Sequence, residues 1–166
     1  MRVLVTCGSR LGGTAGLAEE IGGTLRRIGF EADVVPAAEV RSLDGYDAVV
    51  VGGALYAGRW HRDARRFVRS FGRELRALPV WLFSSGPLDD SAHERAIPPV
   101  PRVARLAARI GARGHTTFGG RLEPGARGVV AGAMAKKLSG DWRRWDEVRT
   151  WAIVVGESLR PTVPVP

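Results

Sequence analysis

The chemistry-bearing residues of this 166-residue chain gather where apolar runs give way to glycine and hydroxyl side chains. There are three such stretches: Gly8-Ser9-Arg10-Leu11-Gly12-Gly13-Thr14, Gly52-Gly53-Ala54-Leu55-Tyr56-Ala57-Gly58-Arg59-Trp60, and Ser84-Ser85-Gly86-Pro87-Leu88. The first has the make-up of a phosphate cradle. A helix starting at its end offers unpaired N–H groups and the positive end of a dipole. Gly12 and Gly13 let the main chain curl without Cβ clashes, Ser9 and Thr14 supply hydroxyls, and Arg10 supplies a cation. Charge-assisted hydrogen bonds contribute roughly 1.5–3 kcal/mol each, so several together hold a phosphate monoester without a metal.

Competing chemistries fail residue by residue. A dinucleotide fingerprint, G-x-G-x-x-G, counted from Gly8 meets Arg10 where its second glycine belongs. The Walker pattern has its glycine spacing between Gly8 and Gly13, but Thr14 stands in place of the lysine. A thiolate phosphatase pairs its cysteine with an arginine at the far end of the loop, and that position, counted from Cys7, is Gly13. No aspartate in Val51-Gly52-Gly53-Ala54 is available as a phosphoacceptor. Cys7 therefore reads as a small strand-end filler. His61, His93 and His115 show no ligand spacing, and no metal is expected.

The elements that must hold these turns alternate in type. Apolar runs at 2–6, 32–35, 46–52 and 80–83, and a less regular one at 115–119, read as strands. The run Ala48-Val49-Val50-Val51 lacks polar alternation and fits a central strand covered on both faces. Helical spacing recurs after Thr14 (Leu17, Ile21, Leu25, Ile28), over 63–77 (Phe67, Phe71, Leu75), over 102–110 (Val103, Leu106, Ile110) and over 142–159 (Trp145, Val148, Ala152, Val155, Leu159). The proline-rich stretch 87–101 reads as loop, and 129–138 as a short extra helix. Trp60 reads as packing on the next helix, and Trp142, Trp145 and Trp151 as anchors of the last one. The fold class expected is α/β: a doubly wound five-stranded parallel sheet with helices on both faces, for which the common order is 2-1-3-4-5. Ligands of such sheets bind beyond the carboxyl ends of the strands, so the three turns should meet on one edge. Residues 1–160 read as the domain and 161–166 as a proline-rich tail.

Composition narrows the classes. With 45% hydrophobic and 25% charged residues the chain is not of the intrinsically disordered type. No apolar run reaches the ~18–20 residues of a membrane helix, and the lone Cys7 makes no internal disulfide. An intracellular, cytoplasmic protein is expected. Twenty-five Lys+Arg against 17 Asp+Glu give +8, and Lys136 and Lys137 are the only lysines. The arginines are scattered rather than packed into a run. That pattern fits a genomic preference for arginine codons or an anionic partner, and it does not point to nucleic acid.

At this stage a family resemblance emerges. Ser9-Arg10-Leu11-Gly12-Gly13-Thr14 resembles the phosphate loop of flavodoxins. Residues 46–60 and Trp81-Leu82-Phe83-Ser84-Ser85-Gly86-Pro87-Leu88 resemble their second and third flavin loops. Phe118-Gly119-Gly120-Arg121-Leu122 and Gly140-Asp141-Trp142-Arg143-Arg144-Trp145-Asp146 are similar to a narrower branch that contains the menaquinone-dependent protoporphyrinogen oxidases. The resemblance implies FMN as cofactor. It implies that Ser9, Arg10, Leu11, Gly12, Gly13 and Thr14 hold the phosphate. Ala54, Leu55, Tyr56, Ala57 and Gly58 would run along the isoalloxazine, with Tyr56 stacked on it. Ser85, Gly86, Pro87 and Leu88 would cover its other side, and Gly119 and Gly120 would let the chain pass close. Arg10-Leu11 and Leu88 depart from the common pattern of hydroxyl and aromatic residues at these places.

The resemblance implies an FMN-dependent oxidoreductase passing electrons from a reduced tetrapyrrole to a quinone, in contact with the anionic inner face of a membrane. Residues 126–138 are the candidate lip for substrate or membrane, or equally a packed helix. The alternative is an electron-transfer flavodoxin without its own substrate, serving a redox partner.

Overall fold

The computed structural model describes residues 1–10, 12–122 and 140–161. The elements run β1 (Arg2–Gly8), α1 (Gly13–Arg27), β2 (Glu31–Pro36), β3 (Ala48–Tyr56), β4 (Arg59–Trp60), α2 (Arg62–Ser70), α3 (Gly72–Leu75), β5 (Val80–Ser85), α4 (Ser91–Glu94), α5 (Pro101–Ile110), β6 (Gly114–Phe118), β7 (Arg121–Leu122), β8 (Gly140–Asp141) and α6 (Trp145–Leu159). The main sheet has the order β2-β1-β3-β5-β6, with β4 attached to β3. Its five long strands are mutually parallel, in the order common to such doubly wound sheets.

Each face of the sheet buries one helical layer. Val3, Val5, Val50, Trp81 and Phe83 meet Leu17, Ile21 and Leu25 of α1 and Val148, Ala152 and Val155 of α6. Leu4, Val49, Val51, Val80 and Leu82 meet Phe67 and Val68 of α2, Leu75 of α3, and Val103 and Ile110 of α5. Burying a side chain of this size stabilises by about 1.5–3 kcal/mol, and these two layers hold the strand ends in place. The all-apolar β3 is central and covered on both sides, as its composition requires.

Four expectations are corrected. The third strand runs on through Gly53 to Tyr56, because Trp60 covers the flat surface that the glycine leaves: a Cβ on Gly53 would lie 2.3 Å from that ring. The helix expected over 63–77 is interrupted at Phe71 (φ −103°, ψ 17°), next to the weak helix former Gly72. The loop 87–101 contains the single turn α4, where the Asp89 carboxylate accepts from the Ser91 N–H at 2.9 Å. The last helix starts at Trp145 rather than Trp142, because the Trp142 N–H donates to the Gly120 carbonyl (3.0 Å) and holds the chain extended. Trp142 is thus no helix anchor, whereas Trp145 and Trp151 pack against the core. The expected extra helix at 129–138, the lip at 126–138 and most of the tail lie outside the described residues.

Candidate functional site

β1 delivers the chain to the carboxyl edge of the sheet at Gly8, and α1 leaves it at Gly13. Gly12 caps the helix at φ 75°, ψ −14°, a left-handed conformation that glycine adopts at no steric cost. No side chain caps this end and no acid sits in its first turn. Among the described residues, none beyond its chain neighbours lies within 4 Å of where a Gly12 Cβ would be. Thr14 is buried and Arg10 is exposed, while Leu11 lies outside the described residues. An uncapped, acid-free helix start that no other described residue crowds suits an anion.

Two arginines near this turn were not read from the sequence as site residues. Arg143 donates from Nη1 to the Gly13 carbonyl at 3.3 Å, forks onto Asp141 (2.8 and 2.6 Å), and stacks on the Trp145 ring at 4.6 Å. The hydrogen bond from Arg143 holds the Asp141 carboxyl below its usual range. The second, Arg121, comes so close that a Cβ on Gly13 would lie 3.4 Å from its Cβ. Local spacing carries no signal for a contact across 130 positions.

The second loop is a β-hairpin. Leu55 pairs with Trp60 and Tyr56 with Arg59, leaving Ala57 (φ 47°) and Gly58 (φ 70°) as a two-residue turn. Positive φ at both positions marks the tight turn that suits strand twist, and Ala57 carries the strain of a non-glycine residue there. The hairpin tip, from Tyr56 to Arg59, is exposed. Partial burial raises the Tyr56 hydroxyl above its ordinary range, against the opposing influence of the Arg10 main chain and charge. Tyr56 also meets His61 edge to face at 6.2 Å, and His61 caps α2 by accepting from the Asp63 N–H at 3.4 Å. Trp60 is core: it is 1% exposed and donates from Nε1 to Ser84 Oγ at 2.9 Å.

The third and fourth loops are tied together by their main chains. The Gly86 N–H donates to the Phe118 carbonyl (3.0 Å) and the Gly120 N–H to the Pro87 carbonyl (2.9 Å). Ser85 is buried, while Gly86, Pro87 and Leu88 are half-buried. Gly119 and Gly120 admit no side chain: a Cβ would lie 2.1 Å from the Trp142 carbonyl oxygen and 2.8 Å from that of Gly86, respectively. His93 locks the arrangement from behind, a role its spacing did not announce. Its Nδ1 lies 2.9 Å from Glu147 Oε2 and its Nε2 2.9 Å from the Trp142 carbonyl oxygen.

These contacts close a circuit. The first loop meets the hairpin where Arg10 adjoins Tyr56. The hairpin meets the third loop where Leu55 lies 3.0 Å from the Gly86 Cβ position. The third loop bonds the fourth through Gly120 and Pro87, and the fourth returns to the first through Arg121 and Gly13. The described residues expected at the site belong to these four loops and the strand ends that lead into them. Cys7 lies beneath it, its thiol pushed up to about 12 by burial, so it is no nucleophile. Among the described residues no cluster of His, Cys, Asp and Glu has the form of a metal site.

The match to known proteins agrees with this geometry. Residues 4–137 fit the family model described as Flavodoxin domain. The chain belongs to the flavodoxin family. FMN, the cofactor expected from the sequence, is the cofactor this fold places at the switch between its first and third strands. The protoporphyrinogen IX dehydrogenase [quinone] of Escherichia coli K12 is 29% identical over 86 residues, covering 51% of this chain and 48% of that protein. The match thus spans about half the length of the curated relatives. A Pseudomonas aeruginosa flavodoxin mutant superposes with a TM-score of 0.61 at 18% identity, over 97% of this flavodoxin-family chain and 100% of that one. Rubredoxin oxygen:oxidoreductase of Desulfovibrio gigas gives 0.65 at 11% identity, over 95% of this chain and 36% of that one. These structures share the fold.

Proposed function

We propose that this flavodoxin-family protein is an FMN-dependent oxidoreductase that takes electrons from a reduced tetrapyrrole and passes them to a quinone. The closed ring of four loops around an uncapped helix start supports the cofactor site most strongly. The partial identity to the dehydrogenase supports the choice of substrate. Bound FMN would supply the capacity to accept and release electrons one or two at a time.

The protein's own part is to bind, orient and exclude water. The main chain of Ser9, Arg10, Leu11, Gly12 and Gly13, with Thr14, would grip the phosphate, and the α1 dipole would favour its charge. Tyr56, on the strained hairpin with Ala54, Leu55, Ala57 and Gly58, would cover one face of the ring. Ser85, Gly86, Pro87 and Leu88 would cover the other, and Gly119 and Gly120 would let main-chain groups reach the ring edge. An aliphatic Leu88 in place of an aromatic changes the stacking that tunes flavin potentials.

Mass analysis of the chromophore released on denaturation tests the cofactor, and FMN is the expected result. Anaerobic assay with reduced porphyrinogen and a menaquinone analogue tests the reaction. Turnover is expected; no turnover alongside fast electron exchange with a reductase would assign a carrier instead.

A further inference from the structure

A second feature lies outside the loop ring. Helix α2 packs beside α5, and a cleft of about 260 Å³ runs between them. Arg65 and Arg69 line it from α2, and Arg102, Arg105 and Arg109 line it from α5. Arg65 donates to the Trp60 carbonyl at 3.0 Å. The other four are exposed and pair with no carboxylate among the described residues. Helix α5 contains no acid at all. Elsewhere some arginines meet a carboxylate (Arg2 Asp33, Arg27 and Arg149 Glu20, Arg143 Asp141) and others, such as Arg66, Arg73 and Arg76, meet none among the described residues, but those do not line a common cleft with these five. A codon preference would scatter arginines without sparing one cleft of acids. Like charges one helical turn apart destabilise their own helix, so this concentration carries a cost in the free protein.

We infer that the cleft docks an acidic helix of a partner protein. Arg65 and Arg69 are about 6 Å apart along α2, and Arg102 to Arg109 spans about 10 Å along α5. Carboxylates at i, i+4 and i+7 of a helix repeat at the same intervals. Leu106, half-buried on the floor between the two rows, offers the apolar seat that the middle of such a helix needs. A flat bilayer would meet the helix crests rather than both walls, and a small phosphate compound would leave much of the two rows unmatched. Trp60 also lines the cleft and pairs with Leu55 in the hairpin ladder, so a seated partner lies next to the hairpin proposed to cover the flavin. That adjacency gives the docking its purpose under the redox reading above, while the docking itself needs no flavin.

The test is a fluorescence anisotropy titration with a labelled helical peptide of about 20 residues. The peptide carries Glu at i, i+4, i+7 and i+11 beside a leucine stripe, and a scrambled peptide of the same composition is the comparison. The striped peptide should bind more tightly, and binding should weaken with salt. Arg69→Gln/Arg105→Gln/Arg109→Gln should weaken it about tenfold or more, whereas Arg41→Gln/Arg144→Gln/Arg149→Gln, which removes the same charge, should change it less than about twofold. Equal losses in the two triple variants would overturn the inference by showing that net charge alone binds the peptide. Tighter binding of inorganic tripolyphosphate or phosphatidylglycerol vesicles than of the striped peptide, lost only in the cleft variant, would overturn it in favour of a phosphate ligand or a membrane. Circular dichroism verifies that both variants are folded. Running the titration on flavin-loaded and flavin-free protein, scored by absorbance, keeps failure of docking separate from failure of the flavin reading.

Discussion

The first turn of α1, at the carboxyl edge of the sheet, and the cleft between α2 and α5, in the layer over one face, both present positive charge, by different means. At α1 the charge is that of main-chain N–H groups fixed by Gly12, and the nearby Arg143 is already committed to Asp141. In the cleft it is that of side chains on long, exposed stems. The first arrangement is rigid, directional and poorly screened by salt, and it fits one small group. The second is adjustable, readily screened, and fits a row of charges. Substitutions should therefore act through geometry at the first region and through charge count and spacing at the second.

Gly119→Ala should give the largest effect. Its Cβ would lie 2.1 Å from the Trp142 carbonyl oxygen and 2.7 Å from the carbonyl carbon, where main chain faces main chain. We expect a loss of about 2–3 kcal/mol in urea unfolding, together with loss of bound flavin. Unchanged stability would mean that the fourth loop is not held by Trp142.

The next effect is that of acid on the layer under the ring. Burial pushes His115 from 6.5 down to about 4, and its Nε2 lies 2.8 Å from Ser84 Oγ, which also accepts from Trp60. The folded protein keeps this ring neutral while the unfolded chain protonates it. Stability should be unaffected by this group above pH ~6.5 and should fall as pH drops from there towards ~4, by about 1–3 kcal/mol after allowing for partial solvent access. Urea unfolding across pH, compared with His115→Asn, checks it; an identical acid limb in both proteins would assign the loss to other groups.

Gly12→Ala comes third in stability. No described residue beyond its chain neighbours crowds the position, but φ 75° costs a side chain about 1 kcal/mol. FMN affinity should nevertheless fall about tenfold, since even one displaced charge-assisted bond is worth that much. The smallest effect on the fold should be that of Arg105→Gln, under about 0.5 kcal/mol, with only the salt-dependent binding of acidic peptide altered. A destabilisation near that of Gly119→Ala would erase the distinction between the two regions.

The sequence carried the local part of this structure well. The spacing of Leu17, Ile21 and Leu25 and the Val-rich third strand follow from burial patterns within single elements, so helices, strands and their alternation were legible, whereas the strand order rested on what is common for such sheets. The hairpin was not. Gly53 looks like a loop residue until Trp60, seven positions on, is seen lying over it. The β7–β8 ladder and the Arg143 contact join segments far apart in the chain, and His93 reaches Glu147 across 54 positions. Neither spacing nor periodicity encodes such pairings; they follow only once the sheet has brought the segments together. The cleft arginines were visible as composition, but their clustering appeared only when α2 and α5 were placed side by side.

Titration of the flavin-free protein with FMN and, separately, with riboflavin tests the account most directly, because the two ligands differ only in the phosphate that the α1 turn is held to grip. FMN should bind roughly a hundredfold more tightly or better, as two or more charge-assisted hydrogen bonds require, and Gly12→Ala should narrow the gap by weakening FMN alone. Equal affinities for the two ligands, or a gap that Gly12→Ala leaves intact, would contradict it.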